Sequence, residues 1–224
     1  MIKASVQRTT SLALLSTALL YSLEGFATIV YDNSTTDLNR SYFAGNGIEF
    51  GDEVFLTGSD RTITDFRFET FLSASTGVAE TGQLVLRLND GAPLSPGRNA
   101  PGTIFYTSDP FSMTTGRGTV VASGLSVPIP GGVDHFTWTV TLQGIDGGEQ
   151  AGLMLYNPPT TGSSFDDFWQ KDGANWNTFL VDGGGTPANF AARITAVPEP
   201  STLALGAFGT LMFLGCVARN KRSS

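Results

Sequence analysis

The sequence predicts an all-β fold, an antiparallel β-sandwich with a jelly-roll-like layout, for the central part of the chain. Apolar and polar residues alternate in several short segments, and turn-forming residues separate these segments. No apolar stripe with the helical period of 3.6 residues occurs outside the two ends. Many short strands joined by Gly- and Pro-rich turns are typical of sandwiches and barrels, so we expect about eight to eleven strands over residues 28–196.

The clearest predicted strand covers residues 136–142, where Phe136, Trp138, Val140 and Leu142 alternate with three threonines. The threonines are expected to face outward and the larger apolar side chains to enter the core. The same alternation predicts strands around residues 65–69, 84–88, 151–155 and 190–194. Turn formers lie between them, at 89–91, 96–97, 130–132, 146–148 and 182–185. The core aromatics are expected to be Phe66, Phe68, Phe136, Trp138 and Phe190.

One internal segment breaks the alternation. Residues 91–101 hold three prolines and no period of two. They are expected to form an irregular surface connection that could rim a binding cleft.

Composition excludes several classes of function. The 224 residues carry a net charge of −7, and residues 28–200 alone hold eight Lys and Arg against 19 Asp and Glu, a net charge of −11. This acidic balance argues against a nucleic-acid partner, because phosphate binding needs clustered cations. The single Cys and the single His exclude a disulfide framework and multi-cysteine or multi-histidine metal centres.

The N-terminal 27 residues have the order of a secretory signal peptide. Lys3 and Arg8 precede an apolar run over residues 12–23, and Gly25 and Ala27 occupy the −3 and −1 positions of a cut before Thr28. We expect signal peptidase to remove residues 1–27. The alternative is an uncleaved anchor, but the apolar run is about a dozen residues, whereas a membrane span needs roughly 17–25.

The C-terminal residues 197–224 divide into three parts. Val197-Pro198-Glu199-Pro200 should be extended and accessible, because a residue before proline avoids the α conformation. Residues 201–218 carry no charge and are just long enough, at about 27 Å, for a transmembrane helix. Arg219, Lys221 and Arg222 in the tail 219–224 form a positive stop, a cluster of basic residues directly after the apolar segment. Because such clusters stay on the cytoplasmic side of the membrane, we expect the tail in the cytoplasm and the domain outside.

Together these three parts resemble the PEP-CTERM sorting signal of exported proteins in Gram-negative bacteria that make exopolysaccharide. The resemblance implies that a membrane protease-transpeptidase, exosortase, recognises the motif at 198–200 and cuts nearby. The protein would then be anchored in the inner membrane as a precursor and later reside at the cell surface or outside the cell. An ordinary single-pass anchor is the alternative.

The most unusual central stretch is 166–177. Its oxygen-bearing residues Asp166, Asp167, Asp172 and Asn175 suit calcium, although their spacing does not match the twelve-residue calcium loop. Its tryptophans, Trp169 and Trp176, are candidates for sugar stacking, as is Tyr156. A polar loop held to the sandwich by two tryptophans is the third interpretation. Beyond calcium, no cofactor is expected.

In general layout the domain also resembles the bacterial choice-of-anchor ectodomains, secreted β-rich domains that occur with interchangeable C-terminal anchors. Three functions remain open. The terminal signals and the lack of catalytic motifs favour a non-catalytic surface or matrix protein associated with exopolysaccharide or biofilm. A carbohydrate-binding module is the alternative, and an extracellular hydrolase is the third. We do not expect an enzyme, since no Gly-x-Ser-x-Gly elbow occurs and His135 reads as a polar strand-end residue.

Overall fold

A computed structural model describes residues 26–75, 78–95 and 97–199 of the chain. The predicted signal peptide up to Gly25, Pro200, the predicted transmembrane helix and the basic tail lie outside these residues. Within the described part, no helix is both long and apolar enough to cross a membrane.

The described residues form sixteen antiparallel strands and two short 3-10 turns, Pro130–Gly132 and Asp182–Gly184. The strands are β1 (Thr28–Asn33), β2 (Asp37–Tyr42), β3 (Glu49–Phe55), β4 (Thr62–Leu72), β5 (Thr81–Arg87), β6 (Pro93–Ser95), β7 (Arg98–Asn99), β8 (Ile104–Thr107), β9 (Phe111–Ser112), β10 (Gly116–Pro128), β11 (His135–Gln143), β12 (Ala151–Tyr156), β13 (Ser163–Ser164), β14 (Phe168–Asp172), β15 (Asn175–Phe179) and β16 (Ala192–Val197). The number exceeds the expected eight to eleven because several are two- or three-residue pairings.

The strands form two main sheets. In the first, the order is β1-β16-β4-β12-β2, and β10 pairs along the other edge of β4. In the second, the order is β15-β14-β3-β11-β5-β8, with β13 added on β3 and β9 on β5. The hairpin β6–β7 forms a separate two-stranded sheet. The predicted all-β, antiparallel class is therefore confirmed.

Aromatic side chains from both sheets meet in the core. The ring of Trp138, on β11 of the second sheet, lies 5.4 Å from Phe66 and 5.5 Å from Phe68, both on β4 of the first sheet. Phe190 packs against the same indole at 6.2 Å. This face-to-face packing is consistent with a β-sandwich, and all five predicted core aromatics are buried.

Two expectations about the surface are corrected. Thr137 and Thr139 point away from the core, yet both are fully buried. The chain after β5 reaches Thr137, where the Asn89 amide donates a hydrogen bond to it at 3.0 Å. Thr139 instead donates a hydrogen bond at 2.7 Å to Glu49 of the neighbouring strand β3. The segment 91–101 is not wholly irregular either, since it contains the hairpin β6–β7.

The two ends of the domain lie side by side. Strands β1 and β16 are antiparallel neighbours, and Thr28 is paired with Ala196. The chain therefore enters and leaves the domain at the same end of the first sheet.

Candidate ligand-binding groove

A groove of about 500 Å³ lies on the outer face of the second sheet. One wall comes from the hairpin β14–β15 and the other from the chain around β6–β7. The lining side chains and backbone belong to Arg87, Ala92, Leu94, Ala100, Pro101, Gly102, Lys171, Ala174, Asn175, Trp176 and Asn177. The volume falls in the range of ordinary small-ligand sites. Four residues of the segment 91–101, Ala92, Leu94, Ala100 and Pro101, line this groove.

Trp176 supplies the aromatic wall of the groove. It pairs with Lys171 across the hairpin, so the two side chains share one face of the sheet. The half-buried indole has the Arg87 guanidinium carbon at 5.4 Å and the Lys171 ammonium at 5.6 Å from its ring centroid. These distances are those of cation–π contacts, which hold the ring in place.

Glu49 fixes the base of the groove. Its carboxylate accepts two hydrogen bonds from Arg87, at 2.8 and 3.1 Å, and one from Thr139. The Lys171 ammonium lies 3.5 Å from the same carboxylate. Arg87 also donates to the Gly102 carbonyl at 3.1 Å and so ties the covering loop to the sheet. Bidentate arginine–carboxylate pairs have a defined geometry, so this base is rigid.

A second arginine cluster lies on the same face but is closed. Arg98 of β7 donates two hydrogen bonds to Asp167 and one to Glu53. Its guanidinium carbon lies 4.0 Å from the Phe165 ring centroid and 4.7 Å from that of Trp169. Burial lowers the pKa of Arg98, but its hydrogen bonds to Asp167 and Glu53 raise the pKa by more, so the net shift is upward.

Two of the three predicted sugar-stacking residues are corrected. Trp169 is fully buried under Arg98, and its indole N–H points to Glu53 at 3.3 Å, so neither ring face is open to a sugar. Tyr156 lies in the first sheet, also buried, and donates a hydrogen bond to Glu69 at 2.9 Å. Burial and this hydrogen bond raise the pKa of Tyr156 to about 12. Of the three, Trp176 alone lines the groove.

The predicted calcium ligands are not brought together as one set. Asp166 and Asp167 precede β14, whereas Asp172 and Asn175 form the pair that closes the β14–β15 turn. The two groups are about 16 Å apart along the strand. The Asp167 carboxylate is already engaged by Arg98. Within the described residues, no cluster of three or more His, Cys, Asp or Glu side chains is arranged to hold a metal ion.

His135 begins β11, as expected for a strand-end residue. Its Nδ1 lies 2.9 Å from Asp134, and its ring stacks on Phe55 at 5.2 Å. The hydrogen bond with His135 lowers the pKa of the Asp134 carboxyl.

The described part of the sorting motif lies directly beyond the last strand. Val197 is the final residue of β16 and is half-buried, and Pro198 and Glu199 are exposed.

Sequence reasoning missed Arg87, Lys171 and Glu49 as groove residues. Arg87 lies within the predicted strand 84–88 and alternates with its leucines, which was a signal that its side chain faces outward. Nothing local to Glu49 or Lys171 indicated that strands β3 and β14 are neighbours.

Comparison with known protein families, with curated proteins and with solved structures finds no match to this chain.

Proposed function

We propose that this protein is an exported, non-catalytic cell-surface or extracellular matrix protein that binds extracellular polysaccharide in the Trp176 groove. In this proposal a jelly-roll-like domain follows a signal peptide (1–27) and precedes a PEP-CTERM signal (197–224). Signal peptidase and an exosortase-type protease process the two ends. The C-terminal helix holds the precursor in the inner membrane until the second cut.

The observation that carries the binding proposal is the placement of Trp176. A half-buried indole on the wall of an open groove offers an apolar face to the C–H groups of a sugar ring. Lys171 lines the groove on the same face of the hairpin as Trp176, and its ammonium supplies N–H donors for sugar hydroxyls. An aromatic platform with a neighbouring hydrogen-bond donor suits a polyhydroxylated ligand.

Two features of the fold support the sorting proposal. Pro198 and Glu199 are exposed immediately after β16, so a membrane protease can reach them without unfolding the sheet. Because Thr28 pairs with Ala196, both terminal segments leave the domain at one end. A precursor held at either end therefore presents the same end to the membrane.

The binding proposal is tested on a polysaccharide array with the full chain purified in detergent. Trp176→Ala should weaken binding at least about tenfold, the effect of losing one aromatic contact worth roughly 1.4 kcal/mol. Phe179→Ala is the matched control, because Phe179 lies on the same strand but on the side of Phe168, away from the groove. Equal binding by wild type and Trp176→Ala, or no binding to any polysaccharide, would sink the proposal.

The sorting proposal is tested by intact mass in the host, with and without the exosortase-type protease. We expect a mature chain that begins at Thr28 and ends near Pro200 only when the protease is present. A mass that runs through Ser224 in the membrane fraction would instead indicate a plain anchor.

A further inference from the structure

We propose that the Trp176 groove selects polysaccharides whose sugars carry carboxylates, and that Lys171 is the residue that contacts the carboxylate. This inference rests on the proposed polysaccharide-binding function and specifies its ligand class.

The charge of the groove differs from that of the domain. Arg87 and Lys171 line its walls and Glu49 lies at its base, so two cations and one carboxylate leave a local charge of +1, whereas residues 28–200 carry a net charge of −11. At physiological ionic strength charges are screened over about 8 Å, so distant surface acids act weakly on a ligand in the groove. A cation in direct contact is screened much less. The local cations therefore dominate the interaction with a bound anion.

The two cations are not equally free to bind a ligand. Arg87 is only 11% exposed, and its guanidinium already donates to Glu49 twice and to the Gly102 carbonyl. Its role is to position the groove. Lys171 is 34% exposed, and its one ion pair, with Glu49, is long at 3.5 Å. An ammonium has three N–H donors, so Lys171 keeps donors available for a second acceptor.

Lys171 lies close enough to Trp176 to contact a sugar bound at the indole. Its ammonium is 5.6 Å from the indole centroid, and both side chains are on the same face of the hairpin. A carboxylate on a sugar bound beside the indole can therefore accept a hydrogen bond from the ammonium, and this bond is charge-assisted. A neutral sugar can use the same platform but leaves this interaction unmade.

The test compares polymers that differ only in charge: polygalacturonate and alginate, each beside its esterified, uncharged form. Binding to the full chain in detergent is measured at physiological salt. We expect the wild type to bind the acidic polymers about tenfold more tightly than their esters, and Lys171→Gln to reduce this ratio of affinities to about one. Arg40→Gln, which removes an exposed cation from the first sheet, should keep the preference.

The outcomes separate the two proposals. Equal binding of acidic and esterified polymers that is still lost in Trp176→Ala would overturn the carboxylate inference and leave the polysaccharide proposal standing. A loss of preference in Arg40→Gln as large as in Lys171→Gln would also overturn it, because net charge would then be the cause. If neither form of either polymer binds, the inference fails together with the proposed function.

Discussion

Replacing Arg98 is expected to cause the largest loss of stability predicted for this fold. Its guanidinium is 14% exposed and joins the covering hairpin to the second sheet through Asp167 and Glu53. Glu53 is only 3% exposed, so little water can replace the arginine. Removing one partner of a buried ion pair costs more than the pair itself contributes, because the remaining charge is left buried.

The expected magnitude follows from these contacts. In Arg98→Ala, Glu53 keeps one hydrogen bond, from the Trp169 indole at 3.3 Å. Breaking a buried pair in this way costs about 3–5 kcal/mol in free energy of unfolding. For a domain of this size the loss corresponds to a fall in Tm of about 6–20 °C. Asp167 adds less, since it is 20% exposed and can be hydrated.

Urea unfolding of the purified variants, followed by tryptophan fluorescence, measures this loss. Arg117→Ala is the matched control: its ion pair with Asp37 is short at 2.6 Å, but the arginine is 41% exposed, so we expect a loss below about 1 kcal/mol. If Arg98→Ala is destabilised no more than Arg117→Ala, the reasoning is wrong. The double variant Arg98→Ala/Glu53→Gln should recover part of the lost free energy of unfolding, because it removes the unpaired Glu53 charge. If the losses of the two single variants simply add in the double variant, the unpaired charge is not the cause of the loss.

Three further predictions concern the core. Burial raises the pKa of Asp52 well above its usual value, so the folded state disfavours the ionised carboxylate. The stability of the wild type should therefore fall relative to that of Asp52→Asn as pH rises above about 4. A stability difference that does not change with pH would contradict this. The pKa of Tyr156 is also raised, to about 12, so ionisation of this tyrosine likewise opposes folding. The stability of the wild type should fall relative to that of Tyr156→Phe as pH rises from about 10 towards 12, and urea titrations at several pH values measure this difference. Gly51→Ala should destabilise the fold by about 1–3 kcal/mol or more, because the new Cβ would lie 1.9 Å from the Trp138 carbonyl oxygen. Gly147→Ala is the control, since there is open space around Gly147. Equal unfolding midpoints of the two variants would refute the clash.

The sequence carried enough information for the strands and the core because both depend on a local period of two. Phe66 and Phe68 alternate with charged residues, and Trp138 alternates with threonines, so their buried faces could be assigned without knowing which strands pair. The same reasoning failed for Thr137 and Thr139. Their orientation was right, but they are covered by residues far away in the sequence: Asn89 hydrogen-bonds to Thr137, and Glu49 hydrogen-bonds to Thr139.

The two tryptophans of the β14–β15 hairpin show the same limit. Trp169 pairs with Thr178 and Trp176 with Lys171, so both indoles project from the same face of the second sheet. Local sequence gives no reason to treat them differently. Only the position of Arg98, which packs over Trp169, makes one indole buried and the other accessible. That position follows from long-range strand pairing, which a local pattern cannot supply.

The two arginine clusters on this face are built from the same parts. Each joins a glutamate of β3, an arginine and a tryptophan of the β14–β15 hairpin; the arginine is Arg87 of β5 in one cluster and Arg98 of β7 in the other. Glu49 and Glu53 are four residues apart on one strand and so project on the same side. At Glu53 the hairpin closes over the cluster, and the ion pairs contribute to stability. At Glu49 the same arrangement leaves Trp176 and Lys171 lining the groove. The closed cluster already satisfies its own charges, and in the proposed function an outside ligand completes the contacts of the open one.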